Sequence, residues 1–198
     1  MRIGILGGTF DPVHQGHLLL ARAAKEQGRL DKVLFVPAFI PPHKAGERNL
    51  TPAPYRYRMV ETAIREVPGL EISGIEFLRP DISYTVDTLR DLKKKYPRDK
   101  FFLILGADSV AEMPQWREAQ EIQRMAKILA AQRPGVDFSV PANFDVQWLD
   151  MAACPLSSSG LRKQIEQGKL QNPADLPEGV EDFIRKKKLY GGRLCPSP

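Results

Sequence analysis

Cysteine is nearly absent from this chain of 198 residues, and long apolar runs are missing altogether. The two cysteines, Cys154 and Cys195, do not have the spacing of a metal site, and a reducing cytoplasm is the simplest setting for them. No apolar run is long enough to span a bilayer, and Met1 leads into a predicted strand without a signal peptide. We therefore expect a soluble cytoplasmic protein that has no membrane partner.

The positive charge is not concentrated as it is in proteins that bind nucleic acids. The net charge is +5, but the basic residues are spread along the chain, and the densest run, 185–188, contains no aromatic residue. A solvated helix face explains this run, so we expect no nucleic-acid partner. A general positive field would also suit a site that gathers phosphorylated substrates.

Histidine is also rare, and two of the three histidines stand three residues apart near the start of the chain. The apolar run 3–6 ends at the glycine pair 7–8, a polar turn follows, and a second apolar segment begins at Leu18. This order predicts a buried strand, a phosphate-sized loop and a helix whose free N–H groups can bind an anion. If His14 and His17 lie on the first helical turn, their rings point the same way. The alternative is a simple glycine turn with two ordinary packed or surface imidazoles.

Short apolar runs alternate with amphipathic segments, which predicts an α/β fold with a mostly parallel sheet. The predicted strands are 3–6, 32–36, 70–77, 100–105, 127–131 and 146–149, and the predicted helices are 18–27, 54–67, 85–96, 157–167 and 180–190. The run 100–105 is the most apolar and suits a central strand, whereas 70–77 alternates and suits a sheet edge. We expect one domain over 1–190, with a core at 1–150, a helical part at 157–190 and a flexible tail at 191–198.

Several short motifs, taken together, resemble one family. They are GGTFDPVHQGH at 7–17, PPHK at 41–44, SYT at 83–85, GADS at 106–109, RPG at 133–135 and SSSGLR at 157–162. On these motifs the chain is similar to the bacterial nicotinate mononucleotide adenylyltransferases of the nucleotidylyltransferase superfamily. The resemblance implies a Rossmann-like, doubly wound sheet with a small C-terminal helical extension. It also implies transfer of AMP from ATP to nicotinate mononucleotide, with release of pyrophosphate, in NAD biosynthesis.

The resemblance implies a role for each motif. The catalytic residues would be His14, His17, Lys44 and Arg162, with His17 nearest the α-phosphate. The residues that bind ATP would be Gly7, Gly8, Thr9, Phe10, His14, Gly16, His17, Ser157, Ser158, Ser159 and Arg162. The residues that bind nicotinate mononucleotide would be Thr9, Lys44, Ser83, Tyr84, Thr85, Gly106, Asp108, Trp116 and Arg133. Mg²⁺ would arrive with ATP, because no cluster of carboxylates suggests a separate metal site.

Several of these residues also have a purely structural interpretation. Ser83 or Thr85 can cap the helix that follows them. Asp108 can cap the next helix, and the serines at 157–159 can cap a third. Trp116 can be a core residue, although a stack against a pyridine ring would equally suit an aromatic side chain. Each of these interpretations is compatible with a ligand contact at the same position.

Other classes of protein account for less of the sequence. Phosphopantetheine adenylyltransferases typically carry threonine where this chain has His14 and lack the motif at 41–44, and the chain is too short for a class I aminoacyl-tRNA synthetase. A non-catalytic nucleotide- or RNA-binding module would explain the basic charge but not the succession of motifs. An enzyme that prefers nicotinamide mononucleotide stays open, and so does a homo-oligomer.

Overall fold

The computed structural model describes residues 1–47, 49–131, 143–152 and 154–191. These residues form a six-stranded sheet in which every neighbouring pair of strands is parallel. Its strands are β1 (Arg2–Gly8), β2 (Lys32–Pro37), β3 (Leu70–Ile72), β4 (Lys100–Gly106), β5 (Ala126–Ala131) and β6 (Val146–Leu149). Their order across the sheet is β3-β2-β1-β4-β5-β6. The predicted parallel, doubly wound α/β fold is confirmed.

Helices cover both faces of the sheet. The α-helices of the described ranges are α1 (Gln15–Gln27), α2 (Ala53–Ile64), α3 (Thr85–Lys95), α4 (Ala107–Glu112), α5 (Ala119–Met125), α6 (Ser158–Glu166) and α7 (Val180–Lys186). One buried cluster joins the sheet to α1, α2, α6 and α7, and a second joins it to α3, α4 and α5. The C-terminal helices therefore share one core with the first two helices. Across the residues that the structure describes, each helix is too short or too polar to cross a membrane.

Strand β4 shows why the sheet needs a helix layer on each side. Phe101, Leu103 and Leu105 belong to one buried cluster, whereas Phe102 and Ile104 belong to the other. Side chains alternate between the two faces of a strand, so a strand that is apolar at every position must be buried on both faces. The predicted central position of this strand is confirmed.

Several predicted elements end earlier than the sequence suggested, among them the helix predicted at 54–67, which ends at Ile64. The strand predicted at 70–77 stops at Ile72, and a 3-10 turn at Ile75–Leu78 follows. The alternation of apolar and polar residues predicted an exposed Glu76, but this residue is buried. Its carboxylate accepts a hydrogen bond from Thr88 Oγ1 at 2.6 Å. The predicted position of this strand at the sheet edge is nevertheless correct. The last helix ends at Lys186 instead of 190, because the chain then enters left-handed backbone conformations.

The strand order places a crevice between β1 and β4, where the direction of winding reverses. From β1 the chain winds outward to β2 and β3, and from β4 it winds outward in the opposite direction. At such a switch point the connections on either side diverge, and ligands bind beyond the carboxyl ends of the two strands. Gly8 ends β1 and Gly106 ends β4, so two of the predicted motifs begin at this crevice.

Candidate active site

The loop after β1 packs around a buried aromatic side chain. Phe10 has a left-handed backbone (φ 51°), and its ring is 1% exposed. A Cβ on Gly8 would lie 2.9 Å from this ring, so glycine is required there for close approach. A Cβ on Gly7 would have no atom within 4 Å, because Gly7 faces open space at the crevice.

The two N-terminal imidazoles form a pair at the start of α1. His14 is the N-cap, His17 lies in the first turn, and their ring centroids are 3.8 Å apart. The His14 backbone N–H donates to His17 Nδ1 at 3.2 Å, and the His17 backbone N–H donates to the His14 carbonyl at 2.9 Å. A backbone N–H can only donate, so Nδ1 is an acceptor and the proton of neutral His17 is on Nε2. The second nitrogen of His17 is thereby left as a hydrogen-bond donor.

The environment of His17 favours the neutral imidazole. Burial is the main cause, and repulsion from His14 adds to it; together they lower the pKa of His17 well below the usual 6.5. The folded protein then resists protonation at a pH where the unfolded chain accepts a proton. The contribution of neutral His17 to the free energy of unfolding is therefore complete above pH 6.5, and it is lost as the pH falls below that value.

We therefore expect the free energy of unfolding to fall more steeply with acid in the wild type than in His17→Gln. Urea unfolding of both proteins from about pH 7.5 to about pH 5 measures the difference. Because the two proteins share every other titratable group, the difference reports His17 together with its interaction with His14. Parallel curves would show that the imidazole titrates alike in the folded and unfolded states.

The proline-rich motif after β2 presents two basic side chains to the crevice. Pro41 begins a 3-10 turn at Pro42–Lys44, in which the Lys44 N–H donates to the Pro41 carbonyl at 2.9 Å. Proline fixes φ, so the turn is a stiff mount for the side chains that follow it. Both His43 and Lys44 line the same cavity. The family resemblance implied a role for Lys44 and not for His43, although the scarcity of histidine is a signal for His43 as well.

The late serine motif joins the early glycine loop directly. Ser157 caps α6, its Oγ accepting from the Gly160 N–H at 3.1 Å. Ser158 Oγ donates to the Pro12 carbonyl at 2.9 Å, and Arg162 Nη1 donates to the Asp11 carbonyl at 2.6 Å. Residues about 150 positions apart in the chain therefore meet at one place. Ser157 therefore has the predicted capping role, whereas the Ser158 hydroxyl and one N–H of Arg162 donate hydrogen bonds to the loop after β1.

Two adjoining cavities occupy the crevice, of about 240 and 300 Å³. Among the predicted site residues, the first is lined by Thr9, Phe10, His17, Lys44, Ser158, Ser159 and Arg162. The second is lined by Gly7, His14, Gly16, His17, Gly106, Asp108, Ser157 and Ser158. His17 and Ser158 line both cavities and thus lie at their junction. Imidazole, ammonium, guanidinium and hydroxyl groups line these cavities, as an anion site requires.

Comparisons with known proteins agree on one family. A cytidylyltransferase-like family model matches residues 5–164. A probable nicotinate-nucleotide adenylyltransferase of Exiguobacterium sibiricum is 40% identical over 190 residues, which cover 96% of this chain and 99% of that protein. Another from Dictyoglomus thermophilum is 40% identical over 197 residues, which cover 96% and 100%. The chain belongs to the nicotinate-nucleotide adenylyltransferase family.

A solved structure shares the fold of this family member. Plasmodium falciparum nicotinic acid mononucleotide adenylyltransferase complexed with NaAD superposes with a TM-score of 0.81 at 20% identity, over 98% of both chains. At this identity the likeness concerns the fold. It confirms the Rossmann-like architecture that the sequence motifs implied.

Four residues that the family resemblance assigned to the mononucleotide line neither cavity: Ser83, Tyr84, Thr85 and Trp116. Thr85 begins α3, and the N-cap is Tyr84 without a side-chain cap, so the expected capping by Ser83 or Thr85 is wrong. Ser83 Oγ instead accepts from the Phe39 N–H at 2.8 Å. Trp116 is half-buried against the second core cluster. The mononucleotide roles of these residues stay predictions.

The remaining predicted residues divide into three cases. Asp108 lies in the first turn of α4, whose N-cap is Gly106, so the alternative of Asp108 as a cap is wrong. Gly8 packs under Phe10 and lines neither cavity. Arg133 lies outside the described residues.

Within 1–47, 49–131, 143–152 and 154–191, no three His, Cys, Asp or Glu side chains gather as a metal site.

Gly106 offers a test of the second cavity that spares the fold. Its φ is −80°, and a Cβ would have no atom within 4 Å, so alanine fits without strain. The added methyl would project into the space a ligand needs. We expect Gly106→Ala to weaken nucleotide binding by about tenfold, with an unchanged melting temperature. Calorimetric titration with nicotinate mononucleotide measures the affinity, and an unchanged affinity would place this ligand elsewhere.

Proposed function

We propose that this chain transfers AMP from ATP to nicotinate mononucleotide and releases pyrophosphate, the reaction that its relatives are named for. The observation that carries the proposal is the junction of the two cavities at His17. Basic and hydroxyl groups from three distant segments line the cavities that meet there. Such a place suits a reaction in which two anions must touch.

The chemistry requires positioning and charge neutralisation more than covalent help. A phosphate oxygen of the mononucleotide attacks the α-phosphorus of ATP, and the bond from that phosphorus to the bridging oxygen of pyrophosphate breaks. Negative charge grows on the bridging oxygen as it leaves. In the proposed mechanism the Nε2–H of His17 donates to the α-phosphate and this oxygen. His14 packs against His17 and faces the phosphates from the second cavity.

The released pyrophosphate needs its own cations. Lys44, Ser159 and Arg162 line the first cavity together and are the proposed partners of the β- and γ-phosphates. The loop 7–10 and the backbone at 157–159 supply further N–H donors, and the Ser157 and Ser159 hydroxyls add to them, with Gly16 permitting close approach of the ligand.

The mononucleotide is assigned to the remaining predicted residues. Asp108 is exposed at the mouth of the second cavity, where a carboxylate can accept hydrogen bonds from ribose hydroxyls. The proposed pyridine contacts are Ser83, Tyr84, Thr85 and Trp116, and the proposed phosphate contacts are Thr9, Lys44 and Arg133. The N-terminus of α3, which has no side-chain cap, suits a carboxylate on the pyridine ring.

Mg²⁺ is proposed to enter as the ATP complex. The first cavity presents cationic and hydroxyl groups, which suit phosphate oxygens better than a bare cation, so the metal would be held mainly by the phosphates. When bound, it would neutralise charge on the phosphates.

Since ATP and a mononucleotide are the proposed substrates, we also propose that the protein acts in the cytoplasm.

The decisive experiment mixes the purified protein with ATP, Mg²⁺ and nicotinate mononucleotide and measures pyrophosphate. Release that needs all three components supports the proposal, and a parallel assay with the amide mononucleotide tests the preference for the acid. ATP binding without pyrophosphate from either mononucleotide would overturn the proposed activity and favour a binding module.

A further inference from the structure

Behind the first cavity, a buried guanidinium bridges three separate pieces of backbone. Arg56 of α2 has no exposed surface. Its Nε donates to the Thr51 carbonyl, its Nη1 to the Thr9 carbonyl and its Nη2 to the Phe39 carbonyl, each at 2.8 Å. Only the rigid, planar fork of arginine can serve three acceptors in fixed directions. An apolar side chain would suffice if this buried position only had to fill space, so we attribute the arginine to its three hydrogen bonds.

A buried carboxylate on the same loop completes the network. Asp11 is 1% exposed, and its carboxylate accepts from the Thr51 N–H at 3.3 Å and from the Tyr190 hydroxyl at 2.5 Å. Burial lowers the pKa of Arg56, and the charge of Asp11 opposes that shift. A buried charge is tolerated only when partners satisfy it, so the two charged groups depend on this arrangement.

The network ties together the two segments that carry the proposed phosphate-binding groups. Thr9 belongs to the loop that leads to His17, whereas Phe39 and Thr51 flank the segment that carries Lys44. The Asp11 carbonyl also accepts a hydrogen bond from Arg162 Nη1, so the same loop is joined to α6. The relative placement of these groups therefore depends in part on Arg56 and Tyr190, which line neither cavity.

We propose that Arg56 and Tyr190 are positioning residues for the transfer reaction, a role that rests on the proposed function. Arg56 sets the distance between the loop of His17 and the segment of Lys44. Tyr190 holds the Asp11 carboxylate from the C-terminal end of the chain. Neither side chain touches substrate; each acts through the loop that it holds.

The first test replaces Arg56 with lysine, which keeps the charge and loses the fork. We expect kcat to fall about 100-fold while the KM for ATP changes little, since misplacement of catalytic groups by about 1 Å has this effect. Arg58→Lys is the matched control, because Arg58 lies on the same helix, is 65% exposed and pairs with Glu61. Arg58→Lys should match the wild type, and wild-type kcat in Arg56→Lys would overturn the proposal.

A double-mutant cycle separates positioning from structural support. If Arg56 acts through Lys44, then Lys44→Ala should lower kcat much less in the Arg56→Lys background than in the wild type. Additive losses in the two variants would overturn the proposed route through Lys44. A general loss of stability does not produce such selective coupling.

A measurement on the substrate-free protein keeps the inference testable whether or not the protein is active. We expect amides at 9–14 and 38–47 to exchange hydrogen about tenfold faster in Arg56→Lys than in Arg58→Lys, with β1 and β4 unchanged. Equal exchange would overturn the positioning role of Arg56. A wild type that releases no pyrophosphate would overturn the proposed function instead.

Tyr190→Phe tests the second half with a variant that keeps the ring. Loss of one hydrogen bond to a buried carboxylate should lower the melting temperature by a few degrees and, at temperatures where the variant is folded, lower kcat roughly tenfold. Unchanged kcat would remove Tyr190 from the positioning network.

Discussion

Replacing His17 with alanine is expected to lower turnover by about 10²- to 10³-fold while the fold stays intact. The side chain lies where the two cavities meet, and its Nε2–H is the proposed donor to the reacting phosphate. The fold should survive because the α1 backbone and the buried Phe10 ring beside His17 stay in place. Pyrophosphate release under saturating substrates gives kcat, and a thermal melt checks folding. Turnover within a few-fold of wild type would remove His17 from the mechanism.

Two amide variants distinguish which nitrogen of His17 matters. A glutamine can place its amide nitrogen near the position of Nε2, and an asparagine can place its oxygen near Nδ1. If donation from Nε2 is the essential contact, His17→Gln should keep more turnover than His17→Asn. The reverse order would show that the hydrogen bond from the His14 backbone to Nδ1 is the more important contact.

The sequence predicted the central part of the fold better than its margins. A strand buried on both faces, such as β4, leaves an apolar run that has no other explanation in a protein of this composition. The short strand β3 was overextended because Glu76 alternates like an exposed residue although its carboxyl is buried against Thr88. Burial raises the pKa of Glu76, and hydrogen bonds from its neighbours oppose the shift. Inward-facing carboxylates of this kind have no signal in the hydrophobic pattern.

The resemblance pointed to many of the side chains that line the two cavities but to neither of the two proposed positioning residues behind them. The resemblance named His17, Lys44 and Arg162, and all three line one cavity. Arg56 and Tyr190 gave no such signal, since an arginine in an amphipathic helix predicts a solvated face and a tyrosine near the C-terminus predicts little. Their partners are mostly backbone carbonyls and a carboxylate from distant loops, which become neighbours only in the folded chain.

Replacing Arg162 with alanine is expected to lower kcat/KM for ATP by about 10²-fold. One N–H of its guanidinium is held by the Asp11 carbonyl, which aims the rest of the group at the first cavity. Lysine in its place keeps the charge but has no bidentate fork, so Arg162→Lys should be intermediate. Because the proposed partner is the leaving pyrophosphate, product inhibition by pyrophosphate should weaken in parallel with kcat/KM.

Lys163→Ala is the control that separates a defined contact from the general positive field. Lys163 follows Arg162 on α6, is exposed, and its loss changes the net charge equally. A long-range field falls with ionic strength and treats both residues alike, whereas a bound guanidinium acts through its own hydrogen bonds. We therefore expect Lys163→Ala to retain wild-type kcat/KM at physiological salt. Equal losses in the two alanine variants would replace the proposed phosphate contact by electrostatic attraction alone.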